Sequence, residues 1–111
     1  MSDIITRLHA SVLSHRGMDP AKSRTARLFA AGPKKIAKKV GEEAVEVALD
    51  AINGNRDGVI NESADLLYNL AVLWASAGVD PEEVFAEMAR REELYGIAEK
   101  LAKQTDSASG K

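Results

Sequence analysis

Residues 33–52, PKKIAKKVGEEAVEVALDAI, and residues 57–77, DGVINESADLLYNLAVLWASA, decide the fold. Both stretches carry apolar residues at helical spacing, and neither shows the strict alternation of a half-buried strand. Pro33 suits the first turn of a helix, Asn53-Gly54 ends that helix, and Asp57 is placed to cap the next one, which Gly78 stops. A short connection between two long helices makes them antiparallel neighbours.

The same punctuation extends outward. A first helix is predicted from Asp3 to His15 with the stripe Ile4, Leu8, Val12, and Gly17 lies beyond its end. Ser23 caps a short helix through Ala31, which Gly32 stops. Asp80-Pro81-Glu82-Glu83 restarts the chain as a last helix with Glu83 at the capping-box position, running to about Lys103. The expected architecture is all-α, a bundle of four to five helices forming one domain over residues 1–103, followed by a small polar tail over 104–111. Between Ala64 and Ala77 the fourth helix has almost no polar face, with Leu66, Leu67, Leu70, Val72, Leu73 and Trp74 spread around it. A helix of this kind is buried on several sides, so the bundle is expected to be completed by a second copy as a homodimer or larger helical assembly.

Composition narrows the function. The 111 residues are 45% hydrophobic with a net charge of −2, which gives no general attraction to nucleic acid or anionic lipid. No cysteine is present, which removes disulfides, thiolate nucleophiles and cysteine-ligated zinc. No secretory apolar run occurs near Met1, and the uncharged stretch from Leu66 to Val79 is too short to span a bilayer. A cytoplasmic enzyme or binding protein fits these features.

The two long helices carry the chemistry. Residues three apart share a helix face, so Glu43 with Glu46, and Glu62 with Asp65, each form a two-carboxylate rung. Both rungs border apolar stripes, and antiparallel neighbours would set them facing each other. Burying ionised carboxylates costs several kcal/mol each unless something compensates, and four together repel. A divalent cation resolves both difficulties, and an oxygen-only donor set favours Mg²⁺, with Mn²⁺ as a substitute. The competing reading pairs Glu43 with Lys39 at i, i+4 and leaves the other acids solvated.

Lys34, Lys35, Lys38 and Lys39 open the third helix, where cations oppose the macrodipole unless an anion binds. Lys35 and Lys39 share the wheel face of Glu43 and Glu46, so a phosphate chain could lie along this strip toward the metal. The alternative is a solvated basic patch. Ser23, Arg24, Thr25 and Arg27 are further phosphate donors, although Ser23 already serves as a cap. Asn69, four residues after Asp65, could contact a nucleoside or make an interhelical hydrogen bond. His9 and His15 are six apart, which is no ligand pair, and a surface position is expected for each.

Glu-Glu-x-x-Glu followed by Glu-x-x-Asp resembles the MazG-type all-α nucleotide pyrophosphohydrolases. Ser23-x-Thr25-Ala26-x-Leu28-Phe29, Gly32-Pro33-Lys34-Lys35-Ile36, Lys39-Val40-Gly41-Glu42-Glu43-Ala44-x-Glu46 and Glu62-Ser63-Ala64-Asp65-Leu66-Leu67-Tyr68 are similar, more narrowly, to the phosphoribosyl-ATP pyrophosphatases. The resemblance covers about residues 4 to 95 and implies Mg²⁺-assisted hydrolysis of phosphoribosyl-ATP to phosphoribosyl-AMP and pyrophosphate, the second step of histidine biosynthesis. It implies Glu43, Glu46, Glu62 and Asp65 as metal ligands, Glu42 as a residue that could activate water or bind a second metal, and Ser23, Lys34, Lys35, Lys39 and Asn69 on the substrate. Family members often carry His where this chain has Asn69, so no acid–base role is assigned there. In some organisms the activity is fused to a zinc-dependent cyclohydrolase; the lack of cysteine and of extra length makes a stand-alone pyrophosphatase the expectation. Two alternatives stay open: a housecleaning nucleoside triphosphate pyrophosphohydrolase with the same chemistry, and a non-enzymatic helical dimerisation module.

Overall fold

The computed structural model describes residues 3–96, and among them every regular element is a helix: α1 (Asp3–His15), α2 (Arg24–Ala31), α3 (Pro33–Ile52), α4 (Arg56–Ala77) and α5 (Pro81–Gly96). The remainder of the predicted last helix and the predicted tail lie outside the described residues. Among the described residues, those up to Pro81 form one compact unit and those from Glu82 to Gly96 belong to a second.

The helix boundaries follow local chemistry. Ser23 Oγ accepts from the Ala26 amide at 3.0 Å and caps α2, as its position predicts. Gly32, at φ 100°, both ends α2 and precedes Pro33 at the start of α3; only glycine adopts this backbone readily, so two helices meet with a single residue between them. Gly78 ends α4 in the left-handed conformation, its amide donating back to Ala75 and the next amide to Trp74. The cap of α4 differs from expectation. Asn55 holds that position and accepts from the Gly58 amide at 3.0 Å, while Asp57 lies within the first turn. Asn55 wins because the α3–α4 turn already fixes its backbone, its amide donating to the Asp50 carbonyl at 2.9 Å. Asp57 still favours the helix start through its charge.

The antiparallel α3–α4 hairpin is the most extensive pairing, and α1 and α2 pack against α4 and α3. The core sits at one end of it. Val12 from α1, Leu28 from α2, Ile36 from α3, and Ala71, Val72 and Ala75 from α4 form one buried cluster, flanked by Leu8, Phe29, Tyr68 and Leu73. Small alanines at two of the α4 positions let neighbouring helices approach closely. Arg16, just after α1, braces this end: its guanidinium donates to the Ala75 carbonyl at 3.1 Å and lies 4.5 Å from the Phe29 ring centroid.

Toward the α3–α4 turn the hairpin is bare. Val45, Leu49, Ile52 and Ile60 are all more than half exposed. Along α4 the all-round apolar character therefore divides: Asn69, Ala71, Val72 and Ala75 are buried, while Leu67 is 45% exposed. One histidine departs from expectation. His9 is buried, with its Nε2 unpartnered, because its turn of α1 faces the bundle rather than solvent.

Candidate metal and phosphate site

The sequence requires the two acidic rungs to face each other across the hairpin, and three of the four carboxylates do so closely. Oxygens of Glu43, Glu62 and Asp65 all lie within 4.8 Å of one another. Glu46 is exposed but near enough to act on Glu62 by hydrogen bonding and by charge. Glu42, one position from Glu43, is exposed and outside the converging group.

The electrostatics record this crowding. Glu62 is pushed from the ordinary 4.5 up to about 7, first by hydrogen bonding with Glu43, then with Glu46, with desolvation and the two negative charges adding to it. A carboxylate can bond to a carboxylate only if one holds a proton, since ionised carboxylates are acceptors alone. With Glu62 ionised, Glu43 Oε1 is a buried acceptor with no hydrogen-bond partner. Nor does Lys39 relieve it, because no ion pair joins the two among the described residues. A buried acceptor without a donor is uncommon and calls for an explanation, and an unseen ion is one of the few available. The donor set is oxygen only, which suits a hard divalent cation. Glu43, Glu62 and Asp65 thus fit such an ion by chemistry and by spacing.

Beneath them, Asn69 is 1% exposed and its Nδ2 donates to the Asp65 carbonyl at 2.8 Å. The bond closes on its own helix, one turn from Asp65, rather than between helices.

The predicted phosphate donors divide. Lys35 and Lys39 line a cavity of about 350 Å³ with Arg24, Arg27, Leu28 and Ala31. Lys34 is exposed and outside that lining, and Ser23 is buried with its Oγ engaged as the α2 cap. Sequence reasoning gave Arg24 and Arg27 little weight, although their i, i+3 spacing already put them on one face. What positions them was not legible: the Arg24 guanidinium lies 4.5 Å from the Tyr68 ring centroid, and Tyr68 OH shares a 2.6 Å hydrogen bond with Thr25 Oγ1. Arg27 Nη1 donates to the Pro20 carbonyl at 2.9 Å.

An all-α hairpin with converging carboxylates at mid-length and a cationic cavity lined partly by the same helix defines a helical protein with an acidic cluster and a separate basic cavity. Comparison with known proteins narrows that class. The family model for phosphoribosyl-ATP pyrophosphohydrolase matches residues 5–92, and the chain belongs to this family. It is similar to phosphoribosyl-ATP pyrophosphatase 2 of Rhodopseudomonas palustris, 67% identical over 103 residues that cover 93% of this chain and 79% of that protein. The protein of the same name from Bradyrhizobium diazoefficiens is 65% identical over 93% of this chain and 77% of its own length. Phosphoribosyl-ATP pyrophosphatase of Azospirillum brasilense is 50% identical over 92% of each chain. Among the described residues no helix is long and apolar enough to cross a membrane.

Proposed function

We propose that this chain hydrolyses phosphoribosyl-ATP to phosphoribosyl-AMP and pyrophosphate, the second step of histidine biosynthesis, with Mg²⁺ held by Glu43, Glu62 and Asp65 and bordered by Glu46. The observation that carries the metal reading is the buried, partnerless Glu43 Oε1 inside a group of carboxylates that crowd Glu62 up to about 7. Family membership and the names of relatives above 50% identity support the substrate.

When bound, the cation supplies Lewis acidity, polarising phosphoryl oxygens and offsetting the charge that develops on the leaving pyrophosphate. The residues of the chain do the rest. Glu43 and Glu62 bring oxygens from opposite helices, so the hairpin fixes their separation, and Asn69 holds the α4 turn that carries Asp65. Glu42, exposed beside the cluster, accepts the proton of the attacking water. Lys39, one turn before Glu43, donates to the pyrophosphate half, while Lys34 and Lys35, nearer the start of α3, serve the rest of the substrate. Ser23 acts by capping α2, which carries Arg24 and Arg27.

A second copy completes the fold in this reading. Val45, Leu49 and Ile52 repeat along one side of α3, and their exposure with Ile60 is what an unpaired helical face presents. In this reading the protein acts in the cytoplasm.

Pyrophosphate release from phosphoribosyl-ATP, with Mg²⁺ and with chelator, beside a panel of ordinary nucleoside triphosphates, tests the proposal. Mg²⁺-dependent release confined to phosphoribosyl-ATP is expected. Release from the panel alone would move the protein to a housecleaning role, and no release from any substrate would leave a non-enzymatic helical module.

A further inference from the structure

The cationic cavity between α2 and α3 holds more charge than a pyrophosphate leaving group at the acidic cluster requires. Arg24, Arg27, Lys35 and Lys39 line it, and no carboxylate does, in a chain whose acids outnumber its bases by 17 to 15. Neither α2 nor α3 has an acidic residue in its first turn, and α3 begins with no side-chain cap. Cations placed there oppose both helix dipoles, an arrangement that an anion would reverse into a favourable one. Both guanidiniums are also held in place without being neutralised. Arg24 lies against Tyr68, which Thr25 anchors, and Arg27 spends one donor on the Pro20 carbonyl, leaving the rest of its fork available.

Distance along α3 argues for which anion this is. Lys39 precedes Glu43 by one turn, about 6 Å, whereas Lys35 precedes it by about 12 Å at 1.5 Å per residue. With the scissile anhydride at the carboxylates, the pyrophosphate half meets Lys39 first, and Lys35 and the α2 arginines line the part of the cavity reached from the start of α3, where a second anion would sit. Phosphoribosyl-ATP carries another anion, the phosphate monoester on its second ribose, which ATP lacks. We propose that the Arg24, Arg27 and Lys35 part of this cavity is the subsite for a ribose phosphate monoester, and that it separates phosphoribosyl-ATP from ordinary triphosphates. This rests on the functional reading above and extends it to specificity.

The test uses Arg27→Gln and Lys35→Gln in the full chain, with helicity and melting checked. Lys35 is exposed, so its variant keeps the fold even if loss of the Pro20 contact disturbs Arg27→Gln. The probes are ribose 5-phosphate and inorganic pyrophosphate, each titrated into wild type and variants by calorimetry. The expected result is saturable binding of ribose 5-phosphate to wild type without Mg²⁺, weakened about tenfold or more in each variant, since a charge-assisted hydrogen bond is lost. Pyrophosphate binding, dependent on Mg²⁺, should stay within about twofold. On phosphoribosyl-ATP the variants should raise KM by a similar factor while kcat changes little, the signature of lost uniform binding. Weakened pyrophosphate binding with unchanged ribose 5-phosphate binding would assign the cavity to the triphosphate end and overturn the proposal, as would no ribose 5-phosphate binding to wild type. Failure of the functional reading is separate: wild type would bind ribose 5-phosphate and yet leave phosphoribosyl-ATP intact.

Discussion

Glu62 and Glu87 are both glutamates on helices with charged side chains within reach, and they shift in opposite directions. Glu87, on α5, accepts from Arg90 at 3.0 and 2.8 Å and from Arg91 at 2.8 Å, which lowers it to about 2, Arg90 being the larger cause. Glu62, on α4, meets Glu43 and Glu46 instead and rises to about 7. At Glu87 the chain supplies its own counter-charge at i+3 and i+4, the ordinary way a helix solvates its surface. Around Glu62 it supplies more of the same charge. Perturbed carboxylates gather at functional sites, and here the lack of compensation, not the acidity, is what distinguishes the cluster around Glu62 from the surface around Glu87.

Four measurements would break or sharpen this contrast. The largest effect is expected from Glu43→Gln, which keeps shape and removes a ligand charge: turnover of phosphoribosyl-ATP should fall at least about a hundredfold. The fold should survive and the metal-free variant should melt no lower than wild type, because a repulsive charge has gone. A variant with normal turnover would remove Glu43 from the site.

Next in size is stabilisation by the cation. At a Mg²⁺ concentration about a hundred times Kd, wild type should gain about 2.7 kcal/mol, read as a higher melting temperature, and Glu62→Gln should gain much less. Equal gains in both proteins would place the ion elsewhere.

A smaller effect comes from pH. The native state holds a proton on Glu62 more tightly than the unfolded chain does, so this contribution to stability is full below about 4.5 and is lost as pH rises through about 7. Metal-free protein should therefore lose stability across that window, and Mg²⁺, which competes with the proton, should remove the loss. Glu87 has the opposite sign: its contribution is present above 4.5 and fades as pH falls toward 2. Melting curves between pH 4.5 and 7, with and without Mg²⁺, read the Glu62 contribution, and a Mg²⁺-insensitive profile there would contradict the assignment.

The smallest effect belongs to Glu87→Gln. Its ion pairs are exposed and screened by solvent, so neither activity nor melting should change measurably. A marked loss of activity would show that α5 takes part in the chemistry.

Much of this was legible in the residues. Gly32-Pro33, Asn53-Gly54 and Gly78 punctuate the helices by backbone rules that act within a few residues, so α2, α3 and the end of α4 fall where the sequence puts them. The rungs Glu43/Glu46 and Glu62/Asp65 follow from helix period alone. Other features needed the chain folded. Asn55 rather than Asp57 caps α4, because the turn geometry around Asp50 decides which side chain can reach the Gly58 amide. His9 turned out to be buried, since the face that α1 presents to the bundle depends on its partners.

The sequence by itself determined that the protein is all-α, that its acids come in two rungs on neighbouring helices, and that a basic run precedes them, because these depend on local propensity and a 3.6-residue period. Only the tertiary structure decided that Glu43, Glu62 and Asp65 converge while Glu42 stays outside, that Asn69 lies beneath the site, and that Arg24 and Arg27 join Lys35 and Lys39 around one cavity. Those outcomes depend on the register and rotation of helices far apart in sequence, which are set by how Ile36, Val72 and their neighbours pack.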